Sequence, residues 1–172
     1  LRVALLVETS MASGRQILKG IARYARDNGP WATYHEPGHM QSVLPDWLEH
    51  WQGEGIIARV RTRQTANALA SIGIPAVDVL GDCPHPKIPV VQVSDAGVAR
   101  LAARHLMDRG FRHFGFCGFR GPRWARLRQD AFVEIVCAAG HHCDVYQLPV
   151  RESPEWYAEK ERERLAGWIE RL

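Results

Sequence analysis

Short apolar runs alternate with amphipathic stretches along this chain. Residues 2–8, RVALLVE, are nearly continuous in apolar side chains, as expected of a strand covered on both faces. Over residues 14–28, Ile17, Leu18, Ile21, Tyr24 and Ala25 recur at helical spacing and mark one face. Ser13 stands where a cap belongs, and Gly29 with Pro30 ends the segment. Residues 31–35 read as a second strand, and 44–51 as a short helix with Pro45 in its first turn. A third strand follows over 55–60. A helix over 62–72, capped by Thr62 and closed by Gly73, leads to a fourth strand over 75–80. The stretch GDCPHPKIP (81–89) has three prolines and is predicted to be loop, because proline sustains neither a helix nor a sheet ladder.

The second half repeats the alternation. Residues 90–93 read as a fifth strand. A long helix capped by Ser94 or Asp95 runs to Arg109 and stops at Gly110. A sixth strand over 112–118, a turn over 119–122 and a helix over 123–139 come next, the helix with Leu127, Ala131, Ile135 and Ala138 on one side. Residues 143–148 read as a seventh strand. A last helix starts at about Ser153 with Pro154 in its first position, and Glu155 and Glu159 complement the positive end of its dipole. This order predicts an α/β protein with a doubly wound parallel sheet. The chain stops on a helix with no strand after it, so its last lobe is expected to be incomplete.

Composition changes this picture little. The 172 residues suit one α/β domain, or one and a half lobes of a two-lobed protein. Apolar residues make up 46% and charged ones 24%, too apolar for a disordered chain. No apolar run approaches the roughly 18–20 residues that span a bilayer, so no membrane partner is expected. A formal net charge of +3 with scattered basic residues argues against nucleic-acid binding through this segment. Arg120, Arg123, Arg126 and Arg128 form the one dense basic cluster. Cys83, Cys117, Cys137 and Cys143 lack metal-type spacing and are expected to be reduced, cytosolic thiols, with no metal and no cofactor. The adjacent His141 and His142 are expected in a solvent-exposed turn.

The order and wording of the segments resemble the lactose-repressor and periplasmic sugar-binding superfamily. The stretch 2–29 is similar to that family's opening strand, polar loop and helix. GEGIIARV (53–60) and IPAVDVLG (74–81) look like its next two strands. VVQVSDAGVARLAARHLMDRGFRHFGFCG (90–118) resembles its most distinctive block, and RWARLRQDAFVEIVCAAG (123–140) the helix that opens the second lobe. Arg15 with Gln16, and RWARLRQDAF (123–132), look most like the xylose-operon regulators, which join such a sensor to an arabinose-regulator-type DNA-binding module. One departure is Ser94 followed by Asp95, where the family has Asp then Asn.

The resemblance implies a periplasmic-binding-protein type I-like fold, with a first lobe over 1–118 and the beginning of a second over 119–172. It also implies a small sugar, a pentose such as xylose favoured, bound between two lobes. Closure on that sugar would be transmitted to a DNA-binding module absent from this chain. Homodimers are expected, with the segments near 64–70 and 44–51 as candidate contacts, in a cytoplasmic protein.

Ligands of open parallel sheets sit beyond the carboxyl ends of strands. Those ends place Glu8, Thr9, Ser10, Ser13, Gly14, Asp82 and Asp95 among the candidates, with Arg59 to Arg61 at another strand end. Sugar hydroxyls call for short polar side chains, and sugar rings for aromatic faces. Glu8 reads equally as a hydroxyl acceptor or a salt-bridge partner, Ser13 and Asp95 as helix caps or ligand contacts. Arg15 reaches either a cleft or the adjacent surface. Arg128, four residues before Phe132, falls where the family's sugar-clamping arginine lies, and a planar guanidinium grips two neighbouring hydroxyls at once. Trp124 shares the Arg128 face of its helix and reads either as a stacking surface for a pyranose or as core. Arg126 is expected to be solvated or paired with Asp130, and Trp156 and Trp168 to serve packing.

Two binding roles therefore compete: a regulator's sensor domain and a transport-type sugar-binding protein. An enzyme is the weaker reading, because the loop ETSMASG has neither GxGxxG nor GxxxxGK[ST] and no nucleophile–base set stands at a strand end.

Overall fold

The computed structural model describes residues 1–36, 44–149 and 155–172. The chain divides into two compact units, Leu1–Gln92 and Val93–Leu172. The expected start of the last helix at Ser153 and Pro154 lies outside the described residues. No helix among the described residues is long and apolar enough to cross a membrane.

In the first unit, β1 (Arg2–Leu6), β2 (Ala32–His35), β3 (Gly55–Ala58) and β4 (Ala76–Asp78) form a parallel sheet in the order β2-β1-β3-β4. Ala4, Ile56 and Ala58 pack with Leu48 of a 3-10 helix (Asp46–His50) and with Ala66 and Leu69 of α2 (Arg63–Ile72). Val3, Leu5 and Val7 are buried as well, so both faces of β1 are out of water, as its continuous apolar run predicts. Leu48 and Leu69 are each 1% exposed, and burying each of them is worth roughly 1.5–3 kcal/mol.

Local chemistry sets the helix ends. The Thr62 hydroxyl accepts the Thr65 N–H at 3.0 Å, and Gly73 at φ 76° ends α2 in the left-handed region. The first helix departs from expectation. Helix α1 spans Ala12–Asn28 with Met11 at its cap and no side-chain cap bond, so Ser13 sits within the first turn. Arg15 accounts for part of this early start. Its Nη1 donates to the carbonyls of Thr9 (2.6 Å) and Ser10 (2.9 Å), closing the loop ahead of the helix. Ile17, Leu18, Ile21 and Ala25 are half-buried, but Tyr24 is exposed and meets the edge of Trp31, at 5.5 Å between ring centroids.

The segment 90–93, expected as a strand, is not one. Val90 makes a single bridge to Asp78, and the Val91 N–H donates to the Asp78 carbonyl at 2.8 Å. Val91 and Val93 are then left largely exposed. The stretch has the β-branched residues of a strand without a partner beyond its first residues.

The second unit contains α3 (Asp95–Asp108), β5 (Phe114–Arg120), α4 (Arg123–Ala138), β6 (Cys143–Pro149) and α5 (Glu155–Ile169). Strands β5 and β6 pair in parallel, from Phe114 opposite Cys143 to Arg120 opposite Pro149, so Phe119 and Arg120 continue the strand where a turn was expected. Ala99 and Ala103 of α3 share a core with Phe114, Phe132, Val136 and Cys143. That shared core accompanies the division of the packing after Gln92. On the other face of β5, α5 lies so close that a side chain at Gly115 would come within 2.8 Å of Trp168, whose ring also meets Tyr146 at 5.4 Å. Trp168 is thus a packing residue, as expected; the surroundings of Trp156 lie outside the described residues.

Two contacts fasten the strand ends of the first unit. Asp78 is 1% exposed, and its carboxylate accepts the N–H groups of Val60 (3.0 Å), Leu80 (2.8 Å) and Gly81 (2.9 Å). Gly14 is buried, and a Cβ there would stand 2.0 Å from the Glu8 carbonyl oxygen. Replacing Asp78 by Ala strands three N–H groups and is expected to lower unfolding free energy by about 3 kcal/mol or more, read from the urea midpoint. Asp78→Asn, which keeps one oxygen acceptor, should lose less. Gly14→Ala forces α1 away from β1 and should cost about 1–3 kcal/mol in the same measurement.

Candidate functional site

The register of the first sheet brings the expected polar residues together. Leu6 of β1 stands opposite Ala58 of β3, so the residues just past both strand ends lie side by side. Glu8 projects there and is 6% exposed. Its Oε1 accepts from Arg59 Nη1 and, at 2.9 Å, from Arg61 Nη2. Arg59 Nη1 also donates to Ser13 Oγ at 3.3 Å. Glu8 is thus paired with two arginines, and Ser13 joins the cluster through Arg59.

In the first cluster one carboxylate faces two guanidinium groups. Burial pushes the Arg59 guanidinium below its ordinary pKa, Glu8 opposes that shift, and Arg61 adds to it. Asp82 and Asp78 also favour the charged form. Arg59 Nε is buried without a hydrogen-bond partner. Arg59 and Arg61 were placed at a strand end by sequence but not singled out. The signal available was two arginines at alternate positions past one strand, beside an acid past its neighbour.

Ser10 is exposed in the loop, and its carbonyl is held by Arg15. Arg15 thus shapes the loop through its backbone carbonyls. The N-terminal turn of α1, with Ser13 and Gly14, abuts the end of β1. Asp82 is half-buried in the loop after β4. Next to it, Cys83 Sγ donates to the Arg61 carbonyl at 3.2 Å.

In the second unit, Ser94 is the cap of α3, accepting the Gly97 N–H at 3.0 Å. Asp95 is freed from that role and lies buried in the first turn. Its Oδ1 accepts from Arg128 Nε at 2.8 Å. The carboxylate side chain is 6% exposed and the arginine 32%. The guanidinium carbon stands 5.0 Å from the centroid of the Trp124 ring, and Phe119 meets that ring edge-on at 6.2 Å. The aromatic surface expected for a sugar ring therefore carries a guanidinium. One residue further along the same helix, Gln129 Oε1 accepts from Gln147 Nε2 at 2.7 Å.

Other expected features fall elsewhere. Arg126 is exposed and makes no ion pair with Asp130 among the described residues. His142 reaches Asp144 at 3.4 Å, whereas His141 is half-buried with its ring tilted on Phe114 at 5.3 Å, a stacking contact that its turn position did not advertise. All four cysteines are unpaired; Cys117 and Cys137 are exposed, and burial pushes the Cys143 thiol up.

Comparison with known proteins follows the same division. The family described as XylR N-terminal domain matches residues 2–94, and the one described as periplasmic binding protein-like domain matches residues 103–172. The xylose operon regulatory protein of Escherichia coli (strain K12) is 28% identical over 179 residues, covering 99% of this chain and 45% of that protein. A solved structure of the xylose-binding transcription activator XylR has a TM-score of 0.80 at 28% identity, covering 99% of this chain and 44% of that one. A periplasmic binding protein/LacI transcriptional regulator from Alkaliphilus metalliredigens QYMF, complexed with D-xylulofuranose, shares the fold at a TM-score of 0.64 and 20% identity, covering 86% of this chain and 56% of that one. The chain thus spans less than half the length of the first two of these relatives. With residues 2–94 of 172 matched, the chain belongs to the XylR N-terminal domain family, on an α/β fold of the periplasmic-binding-protein type.

Proposed function

We propose that this chain is the ligand-sensing part of a cytoplasmic transcription regulator and that its effector is a small sugar, a pentose such as D-xylose favoured. Glu8, Ser10, Ser13 and Gly14 would supply contacts from the first unit, with Asp82 nearby. Trp124 and Arg128 would supply them from the second. Arg15 and Asp95 act behind them, one shaping the loop and the other holding Arg128. Binding would then bias a conformational equilibrium read out by a DNA-binding module outside this chain, in a homodimer.

The observation that carries the reading is the state of Arg128. Its Nε is committed to Asp95 and its plane rests near Trp124, while a third of the side chain remains exposed. A guanidinium held this way has its orientation fixed before a ligand arrives, which lowers the ordering cost of binding. Its two Nη groups have the spacing that suits adjacent hydroxyls. The likeness to a xylose operon regulatory protein over 99% of the chain favours a regulator over the alternative, a transport-type sugar-binding protein of the same fold.

The test is a thermal-shift screen of the full-length protein against common pentoses and hexoses. At about 100 times the dissociation constant, D-xylose should add roughly 2.7 kcal/mol of stability and raise the melting temperature accordingly. Arg128→Ala should abolish that shift. No response to any sugar, or a response only to a purine or amino acid, overturns the reading.

A further inference from the structure

Helix α3 carries apolar residues on two sides, and its unit covers one of them. Ala99 and Ala103 share the core with Phe114, Phe132 and Val136, and Leu106 packs against the same cluster. On the outward side, Val98, Leu101 and Ala102 recur at i, i+3 and i+4, with His105 at i+7, and all four are exposed. Leu101 is 73% exposed and Val98 40%. A single apolar side chain in water needs no explanation, but a stripe at this spacing is the form in which one helix docks on another. Arg100 and Arg104, four residues apart, flank the stripe and are exposed. Among the described residues neither is in an ion pair. The neighbouring sequence adds to this charge, since residues 96–129 hold eight arginines and one acid, Asp108.

We infer that the outward face of α3 is a docking surface for an acidic amphipathic helix of another protein. The sign of the charge on the face sets the sign of its partner. Arginine, unlike lysine, presents a planar fork that matches a carboxylate at two points. The apolar stripe decides between classes of anionic partner. A sugar–phosphate backbone would answer Arg100 and Arg104 and leave Leu101 and Val98 in water, whereas an amphipathic helix covers the stripe and answers the arginines together. The stripe is two turns long, which suits a weak, transient contact. Asp95 lies on the buried side of α3 with Ala99 and Ala103, away from this stripe, so the inference stands apart from the sugar-binding reading.

The experiment is fluorescence anisotropy with the full-length protein and a labelled helical peptide of about five turns. The peptide is built of leucine, alanine and glutamate, with leucines at i, i+3, i+4 and i+7 and glutamates on both flanks. The wild type should bind it about tenfold or more tightly than the same peptide with lysine for glutamate, or with glutamine for leucine. Its affinity should fall as salt is added, because exposed charge pairs are screened. Leu101→Gln should weaken binding about tenfold, and so should Arg100→Gln combined with Arg104→Gln. Arg171→Gln, which removes an exposed arginine on a different element, should change nothing. All these side chains are exposed, so melting temperatures should stay at the wild-type value. If a variant does not fold, the three peptides compared on the wild type decide. Equal binding of the three peptides, no binding of the acidic one, or an affinity untouched by Leu101→Gln overturns the inference. Two further outcomes overturn it by naming a different occupant. One is binding of random-sequence duplex DNA that the paired arginine variant abolishes and Leu101→Gln does not. The other is self-association in sedimentation velocity that Leu101→Gln removes, which gives the face to a second copy of the chain.

Discussion

An acidic side chain that leaves water must find a cation or a set of N–H donors, and Glu8, Asp78 and Asp95 all leave water in this protein. Each solves the problem differently. Asp78 takes three backbone N–H groups and ties the end of β3 to the turn after β4. Glu8 takes two guanidinium groups and ties the end of β1 to the end of β3. Asp95 takes the Nε of Arg128 and ties the first turn of α3 to α4. These three arrangements fix the ends of β1 and β3 in the first unit and join α3 to α4 in the second.

Gly14 makes the first of the charged pairs compatible with the fold. Helix α1 begins against the Glu8 carbonyl, at a distance that a side chain would occupy. Arg15 closes the intervening loop by taking the carbonyls of Thr9 and Ser10. The result is a strand end whose carboxylate points to Arg59 and Arg61 while Ser10 stays exposed and Ser13 lies within reach of Arg59. A short loop, one glycine and two arginines from a neighbouring strand thus build the polar surface that the strand-end rule anticipates.

Much of the architecture was legible in the sequence. Thr62 and Gly73 bound α2 because a hydroxyl cap and a left-handed glycine are local requirements. The continuous apolar run of β1 reported burial directly, whereas α4 buries Ala125, Phe132 and Val136, and of the expected stripe Leu127, Ala131 and Ile135 are half-buried and Ala138 is exposed. What failed were features decided by tertiary partners. Ser13 has the chemistry of a cap, yet the helix starts earlier because Arg15 and Gly14 fix the loop ahead of it. Residues 90–93 have strand composition but gain one bridge and no further ladder. Asp95 read as a cap or a ligand contact; Ser94 takes the cap, and a residue thirty-three positions away takes the carboxylate. Trp124 was placed on the face of Arg128 by helical spacing alone, and their 5.0 Å stacking follows from that spacing. Asp78 gave no sign, since its partners are backbone groups of three separate residues.

The account depends most on the claim that a buried acid and its arginine behave as one unit. A double-mutant cycle on Glu8→Gln and Arg59→Gln, read by chemical unfolding, measures this for the most buried pair. The account predicts that the double variant is more stable than the sum of the single losses implies, by about 1 kcal/mol or more, because Glu8→Gln leaves Arg59 without its acid and Arg59→Gln leaves Glu8 with Arg61 alone. Losses that add to within about 0.5 kcal/mol would contradict it.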